Sequence, residues 1–159
     1  MHPNEALIHR FYTCFQQKDF KGMQDCYADD ARFSDAAFKN LDASQVRAMW
    51  EMLIKRGKDL RVQFSDIRAN DKEGSAKWIA NYTFSAGGRP VENHINASFR
   101  FANGKIIEHN DSFNFYTWSR QALGLPGWLF GWSSFLQHKV QQKAMAGLTS
   151  FTQKSSSPR

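Results

Sequence analysis

The apolar residues of this chain recur with one period before Gly57 and with another after it, and that change limits the fold more than any other feature. From Asn4 to Lys18, Leu7, Phe11 and Phe15 fall at i, i+4 and i+8, with Ile8 and Tyr12 beside them, which makes one apolar face of a helix. Asp19 is placed to cap a second short helix through Met23 and Tyr27, with Gly22 tolerated inside it. Asp29 and Asp30 then read as a turn, and Ala31 to Ser34 as a short strand. A third helix is bounded by Asp42 with Gln45, a capping-box pattern, and by Gly57 as its stop; Val46, Met49, Trp50, Leu53 and Ile54 follow the helical spacing between them.

Beyond Gly57 the period becomes two. Leu60, Val62 and Phe64 alternate with Arg61, Gln63 and Ser65; Trp78, Ala80, Tyr82 and Phe84 alternate with Lys77, Ile79, Asn81 and Thr83. Val91, Ile95, Ala97, Phe99 and Phe101 alternate in the same way with Glu92, His94, Asn96, Ser98 and Arg100. The links are turn-rich: Asp71 to Gly74, Gly87-Gly88, and Asn103-Gly104, a strong hairpin signal. Four consecutive strands joined this way predict an antiparallel meander with one apolar face. The expected fold class is α+β: three N-terminal helices packed on a curved antiparallel sheet in a cone-shaped domain, with a C-terminal amphipathic helix. That last helix, about 133–152, is capped by Ser133 and carries Leu136, Val140, Ala144, Leu148 and Phe151 on one stripe. The expected division is a domain over 1–118 and an extension over 119–159 that contains a Trp- and Gly-rich segment, packed on the same domain or on a dimer partner.

The length of 159 residues suits one domain with a real core, and an aromatic share of 14% supplies bulky flat side chains for a core or for the walls of an apolar pocket. The net charge of +6 is uneven: residues 119–159 carry Arg120, Lys139, Lys143, Lys154 and Arg159 with no acid, while 1–118 is nearly balanced. Five cations scattered over that segment read first as solubility, so nucleic acid is not an expected partner and membrane-surface contact by the basic tail is disfavoured. Cys14 and Cys26 are the only cysteines, and Met1 to Arg10 is polar, which together predict reduced thiols and a cytoplasmic chain. The stretch Leu125 to Trp132 is broken by Pro126, Gly127 and Gly131 and cannot span a bilayer. His9, His94, His109 and Asp111 have no metal-ligand spacing, and Gly87-Gly88 lies in a hairpin rather than between a strand and a helix, so neither metal nor cofactor is expected.

Three runs carry a resemblance: Ile8-His9-Arg10-Phe11; Lys18-Asp19-Phe20-Lys21-Gly22; and Tyr27-Ala28-Asp29-Asp30-Ala31-Arg32-Phe33-Ser34-Asp35. They are similar to the opening of the nuclear transport factor 2-like superfamily, and Lys105-Ile106-Ile107-Glu108-His109 resembles the last strand of its SnoaL-like branch. The resemblance covers roughly 5 to 118. It implies a cone whose side is closed by helices around a pocket, a shape shared by ketosteroid isomerase, limonene epoxide hydrolase and polyketide cyclases, and by proteins without activity. It also implies pairing of two copies through the outer sheet face, here Lys77, Ile79, Asn81, Thr83, Asn96 and Ser98.

By that resemblance Asp35 matches the general base of ketosteroid isomerase, a role that needs a carboxylate raised in pKa by an apolar pocket. The alternative is a plain turn cap before Ala36. The isomerase's two oxyanion donors align with Phe11 and Ala97, which donate nothing, so the loss of about 3 kcal/mol per donor speaks against steroid isomerisation. His109 and Asp111 share a strand face that Phe113 and Phe115 continue, and are expected to form an acid–base relay in which Asp111 orients His109; the alternative is a buried hydrogen bond that satisfies both. Asn114 competes for the same place in the register. Tyr12, Trp50, Trp78, Tyr82, Asn93, Phe99 and Phe113 are the expected ligand contacts, against the alternative that the rings are core. Three functions stay open: a cofactor-independent acid–base enzyme (isomerase, cyclase or hydratase-like) with Asp35, His109 and Asp111 as catalytic residues acting on a small hydrophobic molecule; a non-catalytic carrier of a lipid or aromatic metabolite; and an interaction or assembly module.

Overall fold

The computed structural model describes residues 1–156, with side chains through Lys154. Three helices precede the sheet: α1 (Pro3–Gln16), the short α2 (Phe20–Gln24) and α3 (Ala43–Arg56). The strands are β1 (Tyr27–Ser34), β2 (Arg61–Ala69), β3 (Glu73–Phe84), β4 (Arg89–Ala102) and β5 (Lys105–Ser112). Local chemistry explains the helix limits. Asp19 accepts from the Gly22 amide to open α2, and at α3 the Asp42 carboxylate takes the Gln45 amide while the Gln45 side chain takes the Asp42 amide. The second helix ends at Gln24, short of Tyr27, because that residue already starts β1; Asp29 and Asp30 lie within this strand and do not form a turn.

The sheet is five-stranded and curved, in the order β1-β5-β4-β3-β2. β2 to β5 form an antiparallel meander, whereas β1 pairs parallel to β5, so the sheet is mixed rather than purely antiparallel. A parallel partner needs a long crossover, and the three remaining strands with α3 provide it. Burial alternates without a break along β4, where Val91, Asn93, Ile95, Ala97, Phe99 and Phe101 face the helices. Irregular register at Ser65/Arg68 in β2, with Asp66 at φ 55°, and at Arg100/Phe101 bends the strands around the helical layer.

The core sits between that concave face and α1–α3. Ile8, Phe11, Tyr12 and Phe15 of α1 are buried together, one step around the helix from Leu7, which is partly exposed. Phe11 meets Tyr12, Tyr27, Trp50, Phe99 and His109 edge-on at ring distances of 5.1–6.5 Å, and Trp50 meets Phe15, Phe33 and Trp78. Each such ring contributes roughly 2–3 kcal/mol by leaving water. The deep end of the cone is therefore filled with rings.

Three helices follow the sheet instead of one: α4 (Phe115–Leu123), α5 (Leu125–Phe130) and α6 (Ser134–Ser156). α4 starts at Asn114, whose side chain accepts from the Thr117 amide, and packs Trp118 and Ala122 on Val91 of β4. α6 lies against α3: Leu148 is buried, Lys55 and Arg56 rest over the Phe151 ring, and Gln141 donates to the Ala36 carbonyl at 3.0 Å. α4 and α6 thus cover the wide end of the cone, where Val140, Phe113, Tyr82 and Phe84 join Trp118 in a second small core.

Candidate functional site

The pairing of β1 with β5 brings the ionisable residues together. Phe33 lies beside His109 and Ser34 beside Asn110, and Asp35, the first residue past β1, is close enough for the Asp111 charge to act on it. Side chains at one level of a parallel pair point to the same face, here the inner one, as the 5.0 Å contact of the Phe33 and His109 rings shows. Past the strand end the chain turns tightly. Asp35 Oδ1 accepts from the amides of Ala37 at 2.8 Å and Phe38 at 2.7 Å, and the Asp35 amide donates to the Phe38 carbonyl at 2.8 Å. Asp35 is a turn cap and at the same time a partly buried acid. Burial pushes its carboxyl up to about 6; the Phe38 amide opposes the shift, the negative charge of Asp111 adds to it, and the Ala37 amide and His109 oppose it further.

Behind this pair runs a chain of buried hydrogen bonds. Trp50 Nε1 donates to the Tyr27 hydroxyl at 2.9 Å, that hydroxyl lies 2.8 Å from His109 Nδ1, and His109 Nε2 lies 2.9 Å from Asp111 Oδ1. The Trp50 N–H already occupies the Tyr27 oxygen, so the Tyr27 proton has only His109 Nδ1 to go to. This assigns the tautomer: Nδ1 accepts, and Nε2–H donates to the carboxylate. Burial is also the main reason that the Tyr27 hydroxyl is held well above its ordinary pKa. The His109 ring is wholly enclosed, with Phe99 at 4.3 Å and Trp50 stacked at 6.2 Å, whereas Asp111 retains 7% exposure. His109 and Asp111 are thus hydrogen-bonded neighbours on one face of β5, with His109 the more deeply buried of the two.

Three further side-chain polar atoms are buried without a protein partner among the described residues: Arg120 Nε on α4, and the Tyr12 hydroxyl and Trp78 Nε1, on rings 6.0 Å apart. Buried donors are seldom left unpaired, so the last two mark a polar spot inside the apolar shell. The Tyr12 hydroxyl is raised well above its ordinary pKa by burial, then by the charge of Asp111 and by Tyr27. Tyr82 sits at the wide end, where its hydroxyl accepts from Trp118 Nε1 at 2.8 Å; burial raises it, and the Asp35 charge adds to the shift. Asn93 is nearly buried on the same inner face, and Phe113 is partly buried between the two apolar clusters. Trp50 and Phe99 lie deeper, packed around His109. Asn114, the competing register position, is exposed and caps α4.

Tyr27 and Trp118 escaped the sequence reading. Helical spacing carries the α2 pattern on to Tyr27, whereas the Tyr-Ala-Asp-Asp-Ala-Arg-Phe-Ser run as one strand puts it on the face of Phe33. Trp118 bonds Tyr82 across the sheet, and local pattern carries no trace of that. A cavity of about 390 Å³ touches Tyr27 and Arg47, and one of about 850 Å³ touches Tyr82 and Val91; neither is lined by Asp35, His109 or Asp111. Among the described residues no three His, Cys, Asp or Glu gather as a metal site.

The SnoaL-like domain family matches residues 8–109. In structure the chain is similar to TsrD of Streptomyces laurentii (TM-score 0.66, 17% identity, 77% of this chain and 96% of that one). It is also similar to IdmH of Streptomyces antibioticus, a proposed polyketide cyclase (TM-score 0.63, 21% identity, 79% and 100% covered). An LEH-like epoxide hydrolase of M. tuberculosis shares the fold as well (TM-score 0.62, 15% identity, 76% and 90% covered). No curated protein matches in sequence.

Proposed function

The chain belongs to the SnoaL-like domain family of the nuclear transport factor 2-like superfamily, and from that membership we propose that it is a cofactor-independent acid–base enzyme acting on a small hydrophobic molecule at the wide end of its cone. The observation that carries this reading is the placement of Asp35, one residue past the end of β1, within reach of the charges of Asp111 and His109 on the adjacent parallel strand β5. Asp111 is hydrogen-bonded to His109 Nε2, while Asp35 is pushed up to about 6 and exchanges a proton near neutral pH. Asp35 is the general base that takes a proton from the substrate and returns it as an acid. Asp111 lies near it, and His109, enclosed on every side, is a positioning residue. The unpaired Tyr12 hydroxyl and Trp78 N–H lie among the packed rings, and they could donate to a substrate oxygen in place of the two isomerase donors that Phe11 and Ala97 lack only where those rings part. Tyr82, Asn93 and Phe113 form the entrance. Because rings fill the deep end, the substrate reaches Asp35 only when α4 and α6 swing away from Trp118–Tyr82 and Gln141–Ala36.

A second reading, a non-catalytic carrier, is favoured by one observation: Asp35 Oδ1 and both nitrogens of His109 are already satisfied within the protein. The two separate experimentally. The wild-type protein and Asp35→Asn are incubated with a mixture of apolar metabolites, and bound and free compounds are followed by mass spectrometry. Conversion of a component by the wild type, with Asp35→Asn binding the same component unchanged, is the expected result. A compound retained unaltered by both proteins makes this a carrier and sinks the enzyme.

A further inference from the structure

α5 is turned inside out relative to an ordinary surface helix. Its inner side is glycine: a Cβ on Gly127 would stand 2.0 Å from the Ser119 carbonyl oxygen, and one on Gly131 2.1 Å from the Ser119 hydroxyl. Only glycine allows the segment to lie on the backbone of α4, and the consequence is that its large side chains face water. Leu125 is 69% exposed, Trp128 54%, Leu129 54%, Phe130 55%, Trp132 76% and Phe135 68%. Apart from Met1, these are all of the exposed large apolar side chains among the described residues. They are contiguous in the chain, and Leu125, Trp128 and Leu129 share one helical face. A patch of this kind on a soluble domain marks a docking surface.

The charges carried by the C-terminal segment itself have one sign. The Arg120 guanidinium lies 4.4 Å from the Trp128 ring and Lys139 Nζ 5.0 Å from the Phe135 ring; Lys143 is exposed on the next turn of α6, and no Asp or Glu occurs after residue 118. A second copy seated through the same face would set these cations against their own images. An aromatic rim with the exposed Lys139 and Lys143 beside it and no acid in its own segment instead complements an anionic lipid surface, where Trp and Phe enter the headgroup boundary and Lys meets phosphate. We propose that α5 and the first turn of α6 form a peripheral docking surface for membranes rich in anionic phospholipid. This surface is separate from the segment around Leu148 and Gln141 that holds α6 on the domain, so docking leaves the fold intact.

The test is co-sedimentation of the full chain with vesicles of phosphatidylcholine alone and of phosphatidylcholine mixed equally with phosphatidylglycerol, read together with tryptophan emission. The expected result is partition onto the mixed vesicles with a blue shift, weakened by salt, and little partition onto phosphatidylcholine. Lys139→Gln and Lys143→Gln should each weaken partition about fivefold. The combined Trp128→Ser, Trp132→Ser and Phe135→Ser variant, whose sites are exposed, should keep its circular dichroism and lose partition. Failure of the wild type to bind mixed vesicles overturns the proposal, as does binding that survives the triple substitution. A dimer that the triple substitution dissolves gives the face to a second copy, which equally overturns it.

Discussion

At the scale of single residues, Asp35 carries two opposed demands. Its folded carboxyl is raised from 3.8 to about 6, so the folded chain binds more protons than the unfolded one between those values. Stability is therefore full below the unfolded value and falls as pH rises through about 6, by up to about 3 kcal/mol at neutral pH. Asp35→Asn keeps an oxygen for the amides of Ala37 and Phe38 but carries no charge. It should be more stable than the wild type at pH 7 and indistinguishable at pH 4 in urea unfolding; equal stability at both would mean that the acid is not desolvated. Activity, by the proposed mechanism, rises with pH through about 6, because the base works ionised. Tyr27→Phe tests the hydrogen-bonded chain behind it. Loss of the hydroxyl orphans Trp50 Nε1 and His109 Nδ1, at about 1–3 kcal/mol for each group. A change within about 0.5 kcal/mol, typical of an unimportant surface site, would show that the chain holds nothing in place.

At the scale of elements, the two ends of the C-terminal segment are attached by different physics. α6 is held by burial, and Leu148→Ala removes a fully enclosed side chain at about 2–5 kcal/mol. α5 is held by closeness of backbone to backbone. A methyl at Gly127 meets the Ser119 carbonyl oxygen and carbon, neither of which can yield as a side chain can. Gly127→Ala should therefore detach α5, seen as faster amide hydrogen exchange over 125–131, while the amides of β4 keep their protection. Equal exchange in both proteins would mean that α5 is held by something other than its glycine face.

At the scale of the whole molecule, the mixed sheet, and not the meander alone, makes the site. Without β1 in parallel beside β5, the turn at Asp35 would not fall within reach of the Asp111 charge. The outer face of the same sheet, with Lys77, Ile79, Asn81, Thr83, Asn96 and Ser98, is proposed as the contact between two copies, on the resemblance to the superfamily. Light scattering over a range of concentrations should give twice the chain mass, and a monomer throughout would refute this pairing.

Much of this was legible from residue order, because it rests on local periodicity and local caps. The change of period at Gly57, the Asp42–Gln45 box and the alternation along β4 each involve neighbours a few residues apart, and the inward parity of His109 and Asp111 follows from spacing alone. What depends on partners far along the chain was not legible. Tyr27 reaches His109 across 82 positions, Gln141 reaches Ala36 across 105, and no local pattern encodes either bond. The parallel place of β1, the enclosure of His109 and the outward turn of the α5 rings were decided only when distant segments packed. A side chain's periodicity tells which face it prefers, but burial, and with it the chemistry of an acid or the exposure of a tryptophan, is set by what other parts of the chain leave beside it.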